Sequence, residues 1–253
     1  MEAEELERIG MLRTWIEECP PKGMVFFGGA GVSTESGIPD FRSQDGLYAQ
    51  KYDFPPETII SRTFFDRYPD EFYRFYVDRM IFLDAQPNAA HRALAKLEQQ
   101  GKLSAVVTQN IDGLHQAAGS KEVYELHGST LRNYCMKCGR FYDVHQLQEA
   151  YDASDDGIPR CSCGGIMKPD VVLYEESLDN DLLMKSLEAI QRAHLMVIAG
   201  TSLVVNPAAS LVSFFGGEHL VIVNRTPTPR DEQADLCITT DVGKVFDMVV
   251  GGA

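Results

Sequence analysis

Long apolar runs and an excess of basic residues are both missing from this sequence. No stretch approaches about eighteen uninterrupted apolar residues, the length at which a transmembrane helix is expected. Lysine and arginine number 23 against 37 aspartates and glutamates, which gives a formal net charge of -14 at pH 7. Because affinity for a phosphate backbone comes largely from clustered basic side chains, the composition predicts no direct binding of nucleic acid and no membrane partner.

The first eight residues are acidic and lack the basic start and apolar centre of a signal peptide. We therefore expect a cytoplasmic protein, and one of prokaryotic type because no long extensions are present. The negative charge could steer basic, lysine-containing protein segments toward the molecule. It could equally serve only to keep the protein in solution.

Cysteine is confined to six positions, and their spacing separates them into two groups. Two close pairs are present, and two cysteines are isolated: Cys135 and Cys138, Cys161 and Cys163, then Cys19 and Cys237. In an intracellular chain, a C-x-x-C pair and a C-x-C pair flanking a short segment predict a four-thiolate zinc site rather than two disulfides. Protein ligands would fill all four positions around the metal, so we expect a structural zinc ion that does not activate water.

Nearly continuous apolar runs alternate with helical patterns along most of the chain, as in parallel sheets that are covered on both faces. The predicted strands are 24–27, Leu103–Thr108, Glu122–Leu126, Val171–Tyr174, Leu195–Ala199, Leu220–Val223 and Leu236–Thr239. The predicted helices span 4–18, Pro87-Asn88 to Gly101, Leu178 to Arg192, and a segment that opens at Asn206-Pro207. This alternation predicts an α/β fold with a doubly wound, Rossmann-like parallel sheet.

Two segments interrupt the alternation, and both are predicted to be insertions into one domain. Residues 43–86 are helical and aromatic-rich, and residues 131–170 contain the cysteine pairs. Within a single domain spanning 1–253, the expected Rossmann-like core consists of about 1–42, 87–130 and 171–253. The two insertions would together form a small zinc-binding, helical lobe over the carboxyl edge of the sheet, where ligands of such folds bind.

Polar side chains follow several predicted strands, as a binding cleft at the sheet edge requires. They are Gln109, Asn110 and Asp112 after one strand, His127 after the next, Thr201 and Ser202 after a third, and Asn224 after a fourth. Simpler roles are open to each of them. The amide, the carboxylate and the hydroxyls could only cap the helices that follow, and the histidine could be an ordinary turn residue.

A fifteen-residue glycine-rich stretch, Gly28 to Arg42, directly follows the first predicted strand. Glycines at a strand end let the backbone turn sharply and approach a phosphate, and the N-terminus of a following helix supplies free N–H donors. The stretch is not the ordinary G-x-G-x-x-G fingerprint, because Thr34 stands where the third glycine belongs. No acidic strand end follows some twenty residues later, which disfavours a hydride-transferring oxidoreductase.

Together with the other motifs, this stretch resembles the signature of the sirtuins, the NAD-dependent protein deacylases. The resemblance runs from Gly28 to about Val242 and rests on Gly29–Ser33, Gly37–Arg42, Thr108–Asp112, His127-Gly128, the four paired cysteines, Gly200–Leu203 and Asn224. It implies a lysine deacetylase that transfers the acyl group to ADP-ribose and releases nicotinamide and O-acetyl-ADP-ribose. The implied partners are NAD as co-substrate, one structural zinc ion, and proteins or peptides that carry acyl-lysine.

The resemblance also implies roles for individual residues. His127 would be the catalytic base, and Asn110 and Asp112 would orient the reacting groups. Contacts with NAD would be made by Ala30, Thr34, Ile38, Asp40, Phe41, Arg42, Gln109, Asn110, Ile111, Asp112, His127, Gly200, Thr201, Ser202, Asn224, Asp241 and Val242. Phe41 would shield the reacting ribose carbon from water, and Val172 and Tyr174 would flank the acyl-lysine.

Two other functions stay open beside deacetylation. One is an NAD-consuming mono-ADP-ribosyltransferase, whose nucleophile comes from another protein side chain. The other is a catalytically silent NAD-sensing module, which would have little need for His127 together with the amide–acid pair.

Three positions depart from the family's pattern. Gly28 stands where many relatives have threonine, and the C-x-C pair is one residue shorter than the common zinc knuckle. Glu175 stands where a glycine normally lets the substrate backbone approach closely. Because of this last change, we expect the affinity for peptides, or the preference for their sequence, to differ from that of the family.

A helix of the small lobe bears on which acyl group is removed. Sirtuins that prefer succinyl or malonyl lysine resemble one another in a Tyr-x-x-Arg pattern, which gives the acyl carboxylate a cation. Counting from Tyr73, the arginine position is Tyr76, and the Tyr76–Arg79 pair lies nearly one helical turn later. We therefore expect acetyl to be preferred over succinyl, with propionyl or butyryl next. A deacylase of longer or acidic acyl groups is the alternative.

Overall fold

The computed structural model describes residues 3–40, 46 and 54–251. Its strands are β1 (Met24–Gly28), β2 (Leu103–Thr108), β3 (Val123–Glu125), β4 (Gly128–Cys135), β5 (Phe141–Asp143), β6 (Met167–Val171), β7 (Leu195–Ala199), β8 (His219–Val223) and β9 (Leu236–Ile238). Six of these strands form a parallel sheet in the order β3-β2-β1-β7-β8-β9. The chain winds outward in both directions from β1 and β7, so the predicted doubly wound, Rossmann-like fold is confirmed.

Helices cover the sheet and build a second lobe. They are α1 (Ala3–Glu18), α2 (Pro56–Ile59), α3 (Arg62–Arg67), α4 (Pro69–Arg79), α5 (Ala89–Gln99), α6 (Leu114–Ala117), α7 (Val144–Asp152), α8 (Asn180–Arg192) and α9 (Val242–Val250). Short 3₁₀ helices span Ala30–Val32, Thr34–Ser36, Ala208–Phe214 and Asp231–Gln233. None of the helices in the described ranges is both long and apolar enough to cross a membrane.

Strand β1 lies at the centre of the sheet and is buried along its whole length. Successive side chains of a strand point to opposite faces, and this alternation divides the core in two. Met24 and Phe26 pack on the side of α1, α5 and α9, whereas Val25 and Phe27 pack on the side of α8 and the 3₁₀ helix Ala208–Phe214. Burial on both faces explains the continuous apolar run that the sequence shows here.

A smaller lobe stands beside the sheet and has an apolar core of its own. It contains an antiparallel sheet in the order β5-β4-β6. Its core joins residues from both interruptions of the strand–helix alternation, among them Phe65, Phe72 and Tyr76 from the first and Leu147 and Met167 from the second. The expected small lobe formed by two insertions therefore matches the packing.

Two predicted elements differ from the structure. The apolar run 171–174 is not a strand of the parallel sheet, because β6 ends at Val171 and pairs antiparallel with β4. Burial of Val171 and Leu173 in the small-lobe core produces the same apolar pattern as a central strand. The helix expected at Asn206-Pro207 is a 3₁₀ helix that begins at Ala208, and it has no side-chain cap.

Two buried histidines lie beneath the glycine-rich loop. Helix α5 begins with a capping box, in which the Asn88 side chain accepts hydrogen bonds from the backbone N–H groups of Ala90 and His91, and the Nδ1 atom of His91 accepts one from the Asn88 backbone. The ring of His115 lies 4.7 Å from that of His91, centroid to centroid. Burial lowers the pKa of His91 to about 4 and also lowers the pKa of His115. Both rings are therefore neutral at pH 7.

We predict that His91 makes the fold sensitive to acid. An unfolded histidine binds a proton below about pH 6.5, whereas folded His91 binds one only near pH 4, so the unfolded state holds more protons between these values and stability falls as the pH drops. His91→Gln keeps an acceptor for the Asn88 N–H but cannot be protonated. As the pH falls through this window, the free energy of unfolding should decrease less steeply in the variant than in the wild type. The difference between the two slopes should be up to about 1.4 kcal/mol per pH unit.

Urea unfolding of the wild type and of the variant at several pH values between 7 and 5 measures this slope. The control is His145→Gln, because His145 is exposed on α7. Equal slopes for the wild type and His91→Gln would contradict the prediction.

Candidate functional site

A cavity of about 420 Å³ lies at the carboxyl edge of the parallel sheet, between the sheet and the small lobe. It brings together most of the residues that the sequence analysis singled out. Those that line it are Ala30, Ile38, Asp40, Gln109, Asn110, Ile111, Asp112, His127, Val172, Tyr174, Gly200, Thr201, Ser202 and Asn224. Because carboxyl ends of parallel strands meet at one edge, residues far apart in sequence converge there.

A second, smaller cavity adjoins the first and shares four lining residues with it, among them Gly200 and Asn224. It contains the remaining predicted residues Thr34, Asp241 and Val242. Asp241 forms ion pairs with Lys244 and Arg225, and these two cations lower the pKa of its carboxyl. The predicted contacts Phe41 and Arg42 lie outside the described residues.

The glycine-rich loop has a different local structure from the one expected. It continues into two short 3₁₀ helices rather than a long α-helix. The N–H groups of Gly29 and Gly31 donate to the carbonyls of Ala199 and Gly200, so they are not free for a phosphate. A side chain at position 31 would place its Cβ 2.7 Å from the Gly200 Cα. Glycine is needed here for close packing of the loop on the end of β7.

Ser33 links the glycine-rich loop to the polar residues after β2. Its hydroxyl donates to the Asp112 carboxylate at 2.7 Å and accepts a hydrogen bond from the Asn110 side-chain amide at 3.1 Å. The other oxygen of Asp112 accepts from the Leu114 backbone at 2.9 Å. Burial raises the pKa of Asp112, and the hydrogen bonds from Ser33 and Leu114 oppose this effect. The network holds the carboxylate and the amide side by side at the cavity wall.

His127 follows β3, and its orientation is set by one hydrogen bond. The Nδ1 atom lies 3.0 Å from the Gln109 carbonyl oxygen. A carbonyl oxygen can only accept, so Nδ1 carries the proton and Nε2 of the neutral ring is the free acceptor. Burial lowers the pKa of His127, while the bond to Gln109 raises it. At neutral pH the ring can therefore take up a proton at Nε2.

The backbone of His127 and the glycine that follows it tie His127 to the small lobe. Its carbonyl accepts a hydrogen bond from the Val172 N–H at 3.0 Å. Gly128 has a φ of 76°, and a Cβ atom there would lie 1.9 Å from the Asp170 carbonyl oxygen. A residue with a side chain could not adopt this backbone at this distance. His127 and Val172 are therefore held side by side at the cavity wall.

Gln109 is held by Thr201 from the opposite strand end. The Thr201 hydroxyl donates to the Gln109 side-chain oxygen at 2.9 Å. The side-chain nitrogen of Gln109 is buried and has no hydrogen-bond partner among the described residues. Because a buried amide N–H that lacks a partner is costly, this group is well placed to bind a polar atom of a ligand in the cavity.

Residues of the small lobe also reach the cavity. Arg79, at the end of α4, lines it, and its Nε atom lies 2.7 Å from the Asp78 carboxylate without forming a hydrogen bond to any described residue. Tyr73 and Tyr76 are fully buried instead. The Tyr73 hydroxyl donates to the Met167 carbonyl at 2.5 Å. Of the three residues considered for acyl recognition, only the arginine faces the cavity.

Two positions at the site were missed as functional residues by the sequence analysis. Ser33 was considered only as part of the glycine-rich motif, and its partners are distant in sequence. The side chain of Asn88 donates to the Val32 carbonyl at 2.7 Å and to the Ser36 hydroxyl at 3.0 Å, and so fixes the loop from beneath. Its position as the cap of α5 was recognisable, but its second role required the fold.

The four paired cysteines form a separate cluster in the small lobe. Their sulfur atoms all lie within 4.8 Å of one another. Two of the distances are 3.5 Å, between Cys135 and Cys163, and 3.7 Å, between Cys138 and Cys161. Tetrahedral thiolates at the usual Zn–S distance of about 2.3 Å have sulfurs about 3.8 Å apart. The residues therefore fit a zinc ion, and the isolated Cys19 and Cys237 are not part of the cluster.

Local hydrogen bonds prepare this cluster for a cation. The backbone N–H of Cys163 and the hydroxyl of Tyr142 both donate to the Cys161 sulfur, and they lower the pKa of this thiol to about 6. Gly164 adopts a φ of 79°, which lets the C-x-C turn close. The shorter second pair thus still brings both of its sulfur atoms into the cluster.

The chain resembles proteins of known function along its whole length. A family model described as the Sir2 family matches residues 29–207. A protein of Clostridium acetobutylicum named NAD-dependent protein deacetylase is 53% identical over 248 residues, which cover 97% of this chain and 99% of that protein.

Solved structures agree with this result. One, of Sir2 with a deacetylated p53 peptide and 3′-O-acetyl ADP ribose, has a TM-score of 0.88 and 40% identity, with 96% of this chain and 97% of that chain covered. A second, of Sir2 with a p53 peptide and NAD+, has a TM-score of 0.84 and 39% identity, with 99% and 98% covered.

We predict that the cysteine cluster holds one zinc ion per chain and that the small lobe depends on it. Cys161→Ala should lose the metal and lower the melting temperature, because Cys161 is also part of the small-lobe core. Metal analysis by mass spectrometry and thermal unfolding measure both effects. Cys237→Ala is the control and should keep a full equivalent of zinc. Folded, active protein without zinc would show the assignment to be wrong.

Proposed function

The chain belongs to the Sir2 family and is an NAD-dependent protein deacetylase, and we propose that His127 is the base in its reaction. The observation that carries this proposal is the hydrogen bond from His127 Nδ1 to the Gln109 carbonyl. It leaves Nε2 as the proton acceptor inside the cavity. No other histidine is among the described residues that line this cavity.

NAD, when bound, supplies ADP-ribose as the acceptor of the acyl group and nicotinamide as the leaving group. The proton lost when a ribose hydroxyl takes up the acyl group would be accepted by His127 Nε2. The lowered pKa of His127 keeps the ring unprotonated, and so ready to accept, at neutral pH. The backbone of Val172, bonded to the His127 carbonyl, brings the peptide-facing wall next to this base.

We assign positioning roles to Asn110 and Asp112. The bonds from Ser33 and Leu114 fix the Asp112 carboxylate, and Ser33 also accepts from the Asn110 amide. An amide and a carboxylate in fixed positions can form hydrogen bonds with the carboxamide and a ribose hydroxyl of NAD, and so hold these groups in place for the reaction. The two adjoining cavities would hold the co-substrate, with the smaller one at its adenosine end.

We also propose that the protein acts in the cytoplasm. Cysteines close enough to bind one metal ion are kept reduced and available to it in the cytoplasm, where disulfides are rare. NAD is likewise a metabolite of the cell interior.

Release of free nicotinamide from NAD that depends on an acetylated peptide tests the proposed function. The assay should show equal amounts of nicotinamide, deacetylated peptide and O-acetyl-ADP-ribose. Transfer of ADP-ribose to a protein, with no deacetylated peptide formed, would indicate a mono-ADP-ribosyltransferase instead.

We predict that His127→Ala lowers deacetylation by about 10²–10⁴-fold, the usual contribution of a general base. NAD binding and the melting temperature should change little, because other residues line most of the cavity. Peptide deacetylation rates, with NAD affinity measured by calorimetry, separate the two effects. His145→Ala, an exposed position, serves as the control. Near-normal turnover by His127→Ala would refute the role of the base.

We predict that acetyl-lysine is processed with a kcat/KM at least about tenfold above that of succinyl-lysine. Arg79 lines the cavity, but the negative charge of Asp78 lies 2.7 Å from its Nε atom, and both tyrosines of α4 are buried. A succinyl carboxylate would therefore have to compete with Asp78 or lose hydration without gaining a partner. Kinetics on acetylated and succinylated forms of one peptide decide the matter. A higher value for succinyl would show that Arg79 binds the acyl group.

A further inference from the structure

Glu175 has a backbone conformation that residues with side chains rarely adopt. Its φ is 76°, in the left-handed region. Such a conformation costs a residue other than glycine free energy and persists only where the surroundings hold it in place. Interactions of the Glu175 side chain must therefore stabilise a backbone conformation that a glycine would adopt without cost.

The side chain of Glu175 is fixed by the start of helix α3. One carboxylate oxygen accepts hydrogen bonds from the Thr63 backbone N–H at 2.9 Å and from the Thr63 hydroxyl at 2.7 Å. Both bonds favour the ionised form and lower the pKa of Glu175. The carboxylate is therefore a fixed negative charge at the surface.

The Glu175 carboxylate has no ion pair of the kind that Glu176 has, although the charge of Arg67 is near enough to help lower its pKa. Glu176 forms ion pairs with Lys168 and Arg62, each at 3.1 Å. Within the described ranges, no lysine, arginine or histidine nitrogen lies within 4.0 Å of the Glu175 carboxylate. A basic group that approached from solvent would find a carboxylate already ordered by Thr63.

Glu175 also lies on the wall of the catalytic cavity. It lines the same cavity as His127 and Val172. An extended chain spans at most about 10 Å in the three residues from Val172 to Glu175. A peptide whose acyl-lysine enters the cavity beside Val172 therefore passes within a few residues of this carboxylate.

We propose that Glu175 selects acyl-lysine substrates that carry a basic residue within three positions of the acylated lysine. The inference rests on the proposed function, because it assumes that an acyl-lysine peptide occupies this cavity. Charge complementarity of a fixed, unpaired carboxylate with arginine or lysine provides the selection. The overall charge of -14 also favours basic substrates, but it does not determine where in the peptide the basic residue must lie.

A purely structural role is the competing explanation, since capping Thr63 would by itself account for the carboxylate. Glu175→Gln separates the two explanations. Its side-chain oxygen can still accept from Thr63, but the charge is gone. Glu175→Gly is the second variant, because it removes the cap as well and suits the positive φ.

The experiment uses acetylated peptides that carry Arg, Gln or Glu at each of the three positions on either side of the acetyl-lysine. At the favoured position, the wild type should show a kcat/KM about tenfold higher for Arg than for Glu, since the exchange replaces an attraction with a repulsion. Glu175→Gln and Glu175→Gly should both reduce this ratio to about threefold or less. Glu149→Gln, an exposed change on α7 with the same loss of charge, should keep it.

Salt provides a second signature of the same interaction. The Arg preference of the wild type should shrink as ionic strength rises from about 0.02 to about 0.3 M, because exposed charges are screened. A ratio that is absent in the wild type, or unchanged in both Glu175 variants, would overturn the proposal. A ratio that survives in Glu175→Gln but falls in Glu175→Gly would assign the effect to the Thr63 cap and equally overturn it.

The same peptides are titrated by fluorescence anisotropy in the absence of NAD, so that no turnover occurs. The proposal would be supported even without deacetylation if the wild type bound the Arg peptide most tightly and the Glu peptide most weakly, and if Glu175→Gln bound all three peptides with similar affinity. Absence of deacetylation with a clear affinity series would count against the proposed function alone.

Discussion

A close backbone approach, between Gly128 and Asp170, is the constraint on which the site depends. Only glycine fits, because a Cβ atom would lie 1.9 Å from the Asp170 carbonyl oxygen. The approach lets β4 leave the end of β3 and pair at once with β6, Gly128 opposite Val171. His127 and Val172 are thereby joined through a backbone hydrogen bond rather than through flexible side chains.

Charged side chains reinforce the same junction. Arg132 on β4 donates to the Glu125 carboxylate at 2.7 Å and to the Asp170 carboxylate at 2.8 Å. Glu125 is only 6% exposed, and burial raises the pKa of its carboxyl against the effect of Arg132. Loss of the arginine would leave a buried carboxylate without its cation, which is costly. The large sheet, β4 and β6 are thus connected on both sides of His127.

Local patterns allowed most of the fold and much of the site to be predicted, and what they missed depends on distant partners. Leu195–Ala199 was predicted residue for residue, because burial on both faces leaves a continuous apolar run. The run 171–174 has the same appearance, but its partner is β4 of the small lobe. Likewise, the sequence predicts a glycine-rich loop, but it does not predict that the N–H groups of Gly29 and Gly31 donate hydrogen bonds to carbonyls at the end of β7. The bonds of Ser33 to Asn110 and Asp112, and the positive φ of Glu175, also become evident only once the chain is folded.

The discontinuous core of the small lobe has a consequence for how the chain folds. Its two parts, around 59–81 and 135–173, are separated in sequence by β2 and β3 of the large sheet. A chain emerging from the ribosome therefore completes this lobe only after residue 173, and it completes the large sheet only after β9. During that interval the aromatic side chains of α3 and α4 can pack on one another but not on their later partners, such as Leu147 and Met167. Assembly of the smaller core must wait for a long loop to close, at a cost in chain entropy that local helix formation does not incur.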